Sequence, residues 1–385
     1  MSNTCAVGLV GAGSRGLSHL SEIYDISDDL YVGDWEEPWP ENADGFPFDI
    51  YQDYATDVPD WVDDISHLKA EVVAVCDPAV GARKAARERC RACGDDPTLY
   101  ESLDAFRADD GYDTVVVASP NQTHAEVVIP MLNDGLDVFC EKPLATTLAD
   151  HDRIIDAADR SDGVLYVGFN MRHAPKYARL TDVVSSGRLG RLGMLSAHEV
   201  RVPFPRGHYY TQAESGGTLL EKDCHDFDFF NWVIDADPVR VSAFGGQQVL
   251  DRNTDVIDHA NVIVEYENGV KGTLELCLHT PFSHPTDRRY AARGTDAVAR
   301  TGNEAGTIEV FGRETRDKLR VLGDESEHGG ADYLMWVDIL RVLAGKTDPP
   351  ATATDAKKAA AIAIGAEQSI SSGRTVEIDE QYDLH

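Results

Sequence analysis

Residues Thr114–Thr147 read TVVVASPNQTHAEVVIPMLNDGLDVFCEKPLATT, and the order of residue types in this stretch decides the fold. An uninterrupted apolar run, Thr114–Ala118, gives way to a turn at Ser119-Pro120-Asn121. A helical pattern through His124–Asn133 follows, then Gly135, then a second apolar run at Val138–Cys140. Glycine is the expected helix stop, because it enters the left-handed conformation without steric cost. Apolar strands without polar alternation, separated by a helix, predict a parallel sheet covered on both faces. Ligands of such sheets gather beyond the carboxyl ends of the strands. Ser119, Pro120, Asn121, His124, Glu141 and Lys142 all fall at those ends.

Upstream, the short strand Cys5–Val10 runs into Gly11-Ala12-Gly13-Ser14-Arg15-Gly16. A GxGxxG between a strand and a helix supplies a tight turn, a close backbone approach for a pyrophosphate and a helix N-terminus facing the anion. Gly11, Gly13, Ser14, Arg15 and Gly16 are therefore candidate dinucleotide-binding residues. The pattern also needs an acid after the second strand, to hold ribose hydroxyls. Asp34 has the ordinary spacing, but Asp77 has the better context, after the buried-type strand Glu71–Cys76 and before a helix over Ala79–Cys93. A carboxylate there disfavours a 2′-phosphate, so NAD is expected over NADP, although Arg83 softens the preference. Choosing Asp77 implies an insertion over about residues 28–66, rich in acids and in aromatics such as Trp35, Trp39 and Phe46. So many aromatics argue for packing. The connection lies at the amino end of the sheet, so an oligomer contact or structural flap is expected there.

The length of 385 residues suits two domains, placed at 1–168 and 169–385. Acidic residues number 67 against 35 basic ones, a formal charge of −32. Such a surface repels phosphate backbones and anionic lipids, so neither nucleic acid nor membrane is an expected partner. The acids are spread along the chain, which fits adaptation to high salt, where screening shrinks to a few Å. Seven scattered cysteines do not resemble a disulfide framework and fit a reducing cytoplasm. Cys90 and Cys93 form a CxxC without the second pair that a structural zinc site requires, and no metal is expected. With no leader pattern and no apolar run near eighteen residues, a soluble protein is expected.

Asn170-Met171-Arg172 opens the second half. Beyond Met194, β-like runs at Leu195–Val202, Val239–Gly245, Ala260–Tyr266, Lys271–Cys277, Thr307–Phe311 and Leu319–Leu322, with a turn at Glu267-Asn268-Gly269, predict a largely antiparallel sheet. Helices are expected at Tyr333–Leu343 and Thr352–Ser371. Gly216–Asp228 reads GGTLLEKDCHDFD. In a helix, Glu221 and His225 lie one turn apart, so a carboxylate can orient an imidazole, although ordinary solvated helices show the same spacing.

Glu141-Lys142-Pro143 after a strand, preceded by Ser119-Pro120-Asn121-x-x-His124, resembles the Gfo/Idh/MocA oxidoreductase family. Gly216-Gly217 with His225 and Asp228 is similar to the family's second motif, and the resemblance covers nearly the whole chain except the insertion. It implies an α/β protein: an N-terminal doubly wound Rossmann domain and a C-terminal α/β domain with a large, mostly antiparallel open sheet. The implied activity is hydride transfer between NAD, or NADP, and a sugar, polyol or sugar acid. Lys142 would be catalytic, and Asn170 and Arg172 would stand near cofactor or substrate. His225, whose side chain class titrates near neutrality, is our candidate base, oriented by Glu221. Glu221 stands where most members have aspartate. Lys222 adds a cation that the commonest pattern lacks, which points to a negative group on a substrate held by Lys142, Arg172, Lys222, His225 and Asp228. His328–Asp332 and Arg288-Arg289-Tyr290 are either further pocket segments of the second domain or a helix start and a strand edge. A homodimer or homotetramer through the C-terminal sheet is expected. A redox-neutral NAD-dependent glycosidase and a non-catalytic dinucleotide-binding regulator are the alternatives.

Overall fold

The computed structural model describes residues 4–30, 69–204, 207–250, 254–281, 283, 286–302, 306–321 and 331–385. The chain divides into two compact units: Met1–Leu144 with Asp152–His173 and Asp324–Ala353, and Ala145–His151 with Ala174–Gly323 and Thr354–His385.

The first unit holds six strands: β1 (Thr4–Val10), β2 (Lys69–Cys76), β3 (Thr98–Tyr100), β4 (Thr114–Val117), β5 (Asp137–Cys140) and β6 (Leu165–Val167). Their order, β3-β2-β1-β4-β5-β6, with every pairing parallel, is the doubly wound arrangement. The order reverses between β1 and β4, which is where such sheets open a crevice. Val115, Val116 and Val117 are fully buried, as a strand covered on both faces requires. Helices Ser14–Leu30 and His124–Asn133 follow β1 and β4.

The helix Ala331–Leu343 belongs to this same unit, which corrects the expected boundary at 168. Its cause is apolar burial. Leu334, Met335, Trp336, Ile339 and Leu340 join one core with Leu20, Ile23, Phe139 and Tyr166, and Trp336 packs 5.6 Å from the Phe139 ring. Asp332 is thus part of the nucleotide unit and not of a second-domain pocket wall. The first helix continues to Leu30, past the expected start of the insertion. The remainder of that insertion, with Asp34, and residues 322–330 lie outside the described residues.

The second unit carries β7 (Leu192–Val200), β8 (Pro238–Gly246), β9 (His259–Tyr266), β10 (Lys271–Cys277), β11 (Asp287–Gly294), β12 (Ala297–Thr301), β13 (Thr307–Gly312), β14 (Arg316–Arg320) and β15 (Val376–Glu377). They form one sheet in the order β14-β13-β12-β11-β7-β10-β9-β8-β15, antiparallel except for the β7–β10 pair. Gly269, at φ 83°, closes the β9–β10 hairpin at the expected turn. The strand β11 runs between β7 and β12, so Arg288 and Tyr290 stand inside the sheet and not at its edge. Helices Pro175–Ser185, Thr218–Ile234 and Ala353–Ser372 accompany this sheet. The middle one is buried along most of its length, from Thr218 to Ile234.

Candidate active site

In the first unit, three glycines shape the loop after β1, each for a different reason. Gly11 has φ 94°, and a side chain there would lie 2.5 Å from the Ala118 backbone. A Cβ on Gly16 would lie 2.0 Å from the Gly11 carbonyl oxygen. Gly13 instead faces open space, with nothing within 4 Å of where its Cβ would be. The loop is therefore closed against the protein at its two ends and open in its middle, the form that admits a pyrophosphate to the backbone. Asp77, at the end of β2, accepts from Ala12 N at 2.9 Å through Oδ2 and from Ala79 N at 2.7 Å through Oδ1. These bonds hold a carboxylate against the glycine loop, where ribose hydroxyls of a dinucleotide would lie. The residues present fit NAD. Arg83 bonds to the Asp77 carbonyl oxygen.

Ser119-Pro120-Asn121 forms the turn after β4, fixed by Thr123, whose Oγ1 lies 2.7 Å from the Pro120 carbonyl oxygen and 2.8 Å from Ser119 Oγ. His124 is fully buried, with Nε2 2.9 Å from the Ser119 carbonyl oxygen and Nδ1 2.8 Å from that of Pro143. Both of its ring nitrogens thus meet backbone carbonyl oxygens. Lys142 follows β5 and is joined to Pro143 by a cis peptide bond. It alone is partly exposed between Val138 and Leu144.

Three other residues expected to touch the cofactor are tied into an ionic network of the protein itself. Arg15 donates Nε to Glu141 at 2.5 Å and spans both oxygens of Asp332, at 3.0 and 2.8 Å. Asn170 Nδ2 donates to Asp332 Oδ1 at 2.9 Å. Glu141 Oε1 also meets His19 Nε2 at 2.8 Å, while its Oε2 accepts from Lys142 N at 3.1 Å. Burial alone would push the Glu141 carboxyl up, but the Arg15 guanidinium and the His19 bond hold it well below the carboxylate range. Arg15, Glu141 and Asn170 thereby fix one another. Arg172 bonds to the carbonyl oxygen of Pro350.

In the second unit, Gly216 and Gly217 take φ 84° and 101°, and a Cβ on Gly217 would strike the Glu367 carboxylate at 2.3 Å. That carboxylate accepts from Leu219 N at 3.1 Å and so caps the helix Thr218–Ile234, where the macrodipole favours an anion. On this helix Glu221, His225 and Asp228 are all buried, with Glu221 and His225 one turn apart as expected.

Lys222 departs from expectation. Its Nζ lies 3.0 Å from Oε1 of Glu199, a fully buried residue of β7. Arg288 sits 3.2 Å from the other Glu199 oxygen and also pairs with Asp226, which Tyr290 bonds in turn. Two cations face two carboxylates inside one buried cluster, so Lys222 is matched within the protein. Beside it, burial and the Asp226 charge push the Asp223 carboxyl well up. Glu199 and Asp226 were not candidates from sequence, since their partners lie far along the chain. Among the described residues no cluster of His, Cys, Asp and Glu suits a metal ion.

The stretch that holds the glycine loop, Asp77 and the Lys142 segment falls within a known family profile. The profile described as "Oxidoreductase family, NAD-binding Rossmann fold" covers residues 5–169, and that of the "GFO/IDH/MocA C-terminal domain" covers 177–300. The chain belongs to the Gfo/Idh/MocA oxidoreductase family. It is an NAD-binding enzyme of that family. Myo-inositol 2-dehydrogenase of Thermotoga maritima is 29% identical over 298 residues, 73% of this chain and 84% of that protein. The scyllo-inositol 2-dehydrogenase (NAD(+)) of Bacillus subtilis is 28% identical over 232 residues, 59% of this chain and 65% of that one. The fold is shared with an oxidoreductase domain protein from Kribbella flavida, at a TM-score of 0.79 and 19% identity over 98% of this chain and all of that one. A levoglucosan dehydrogenase in complex with NADH and levoglucosan shares it at 0.78 and 17% identity, over 97% of this chain and 99% of the other.

Proposed function

We propose that this chain is an NAD-dependent dehydrogenase of a neutral polyol or cyclic sugar, acting on a CH–OH group. The observation that carries the reading is the Asp77 carboxylate held by Ala12 N beside an open glycine loop. The names of the inositol dehydrogenase relatives support the substrate class. Bound NAD would supply the hydride acceptor for the carbinol carbon. His225 takes the hydroxyl proton, Glu221 orients the imidazole, and Lys142 offers positive charge to the developing alkoxide. The product is the ketone, with one proton on His225. A neutral substrate fits because Lys222 is already matched by Glu199.

Three further properties belong to the same reading. The chain works in molar salt, where its charge of −32 is screened. The second-unit sheet, which leaves Phe244 80% and Ile263 53% exposed, mediates a homodimer or homotetramer. The cytoplasm is its compartment, since its seven cysteines are free thiols.

The test is a panel of myo-inositol, scyllo-inositol, levoglucosan, glucose and glucuronate with NAD or NADP, in low and molar salt, following absorbance of the reduced nicotinamide. NAD reduction by a polyol or cyclic sugar is expected. Best turnover of glucuronate would overturn the neutral substrate, and reduction of NADP alone would overturn the role of Asp77.

A further inference from the structure

We propose that His124 is a positioning residue for Lys142: its imidazole ties the Lys142–Pro143 segment to the turn after β4. The inference rests on the reading of Lys142 as catalytic. Both atoms facing the ring are backbone carbonyl oxygens, of Pro143 at 2.8 Å and Ser119 at 2.9 Å. Carbonyls only accept, so the ring donates to whichever of the two faces its protonated nitrogen and lies against the other. The ring is fully buried, and loss of that bond leaves a polar atom without water to replace it.

Lys142 is thereby held from two sides. Ahead of its side chain, its own N donates to Glu141 Oε2 at 3.1 Å, and Glu141 N bonds to the Val117 carbonyl oxygen at 2.9 Å. Behind it stands the His124 ring against the Pro143 carbonyl oxygen. The other end of the His124 tie, the turn beginning at Ser119, abuts Gly11 of the glycine loop. Three segments, the glycine loop, the β4 turn and the Lys142 segment, are set in register by one imidazole. A lysine side chain is long and flexible, so fixing its backbone restricts where the ammonium can reach. Misplacement of a catalytic group by about 1 Å can cost on the order of a hundredfold in rate.

The test compares His124→Asn, Lys142→Ala and the native chain in three measurements: NAD affinity by direct titration, kcat with the best substrate of the panel, and hydrogen exchange of the peptide over residues 138–144. A shorter amide cannot span both carbonyls. For His124→Asn, kcat is expected to fall roughly ten- to hundredfold. NAD affinity should stay within about twofold, and exchange should rise in 138–144 but not in β2. A folded His124→Asn with native kcat and native exchange, while Lys142→Ala is inactive, overturns the inference and leaves the role of Lys142 standing. Weakened NAD binding with native kcat at saturation also overturns it, making His124 a cofactor residue. An active Lys142→Ala defeats the catalytic reading instead, and the exchange measurement then decides the tie alone. Should asparagine prevent folding, His124→Gln, which reaches one carbonyl, must show the same exchange increase.

Discussion

The indole Nε1 of Trp336 donates to Nδ1 of His19 at 3.0 Å, and this bond decides which proton His19 carries. An indole nitrogen only donates, so Nδ1 is the bare nitrogen and Nε2 holds the hydrogen. Nε2–H then donates to Glu141 at 2.8 Å. Burial and the nearby Arg15 charge keep the imidazole pKa below its ordinary value, which maintains the neutral tautomer. Trp336, 317 residues from His19 in sequence, thus fixes the donor that His19 turns to Glu141, the residue before Lys142.

Acid stability should report the Glu141 network. A carboxyl whose pKa falls on folding contributes stability that is complete above its unfolded value, near 4.5, and is lost as pH drops through the folded value. Glu141→Gln removes that dependence. Denaturant melts at falling pH should therefore show a steeper loss below the unfolded value in the native chain than in the variant. At neutral pH the variant should be less stable by about 3 kcal/mol, the lower end for a broken buried pair because Arg15 is partly exposed and keeps Asp332.

Lys142→Ala should still bind NAD, because the contacts expected for the dinucleotide come from the glycine loop and Asp77. Turnover should drop by roughly 10²–10⁴-fold. His225→Asn should lose a similar factor, and with it any fall in rate at low pH that comes from protonating this base. Steady-state rates across a pH series, alongside a direct NAD titration, check both variants. Residual near-native turnover in either one removes it from the mechanism.

At Asp77, serine removes the carboxylate that faces the ribose. NAD affinity should weaken by about 1.5–3 kcal/mol, roughly ten- to hundredfold, while NADP affinity should change little. Calorimetric titration with both nucleotides gives the ratio directly. Loss of NAD and NADP binding in parallel would mean that the substitution disordered the glycine loop instead.

Lys222 separates two roles. If its ammonium met the substrate, Lys222→Met would raise KM and leave the fold intact. Because it pairs with the fully buried Glu199, the expected outcome is a loss of about 3–5 kcal/mol of stability, read from the denaturant midpoint. KM for a neutral substrate should shift by less than about twofold.

How much of this was legible follows the range of each interaction. The βαβ unit at 114–147, the glycine loop and the one-turn spacing of Glu221 and His225 on a helix announce themselves locally, and the structure has all three. Asp77 was chosen over Asp34 because strand context outweighed distance, and its bond to Ala12 places it at the loop. The ion pairs of Arg15 were hidden, because its partners Glu141 and Asp332 lie 126 and 317 residues away. The pairing of Lys222 with Glu199 was hidden for the same reason, and Arg288 joins that carboxylate only once β7 and β11 pair. No sequence spacing reports such contacts. The helix Ala331–Leu343 was visible as a helix, but which core it completes depends on tertiary packing alone.

That last helix sets an order of events during synthesis. All six strands of the nucleotide unit have been made once residue 167 leaves the ribosome, yet the helix that buries Leu20, Ile23, Phe139 and Tyr166 follows only at 331–343. Domains commonly fold as they emerge. Here the first unit lacks part of its core while residues 174–323 of the second unit are translated, which leaves an apolar flank uncovered in the interval. Rearranging the gene so that this helix is translated ahead of β1 would let the nucleotide unit close at once and shorten that exposure.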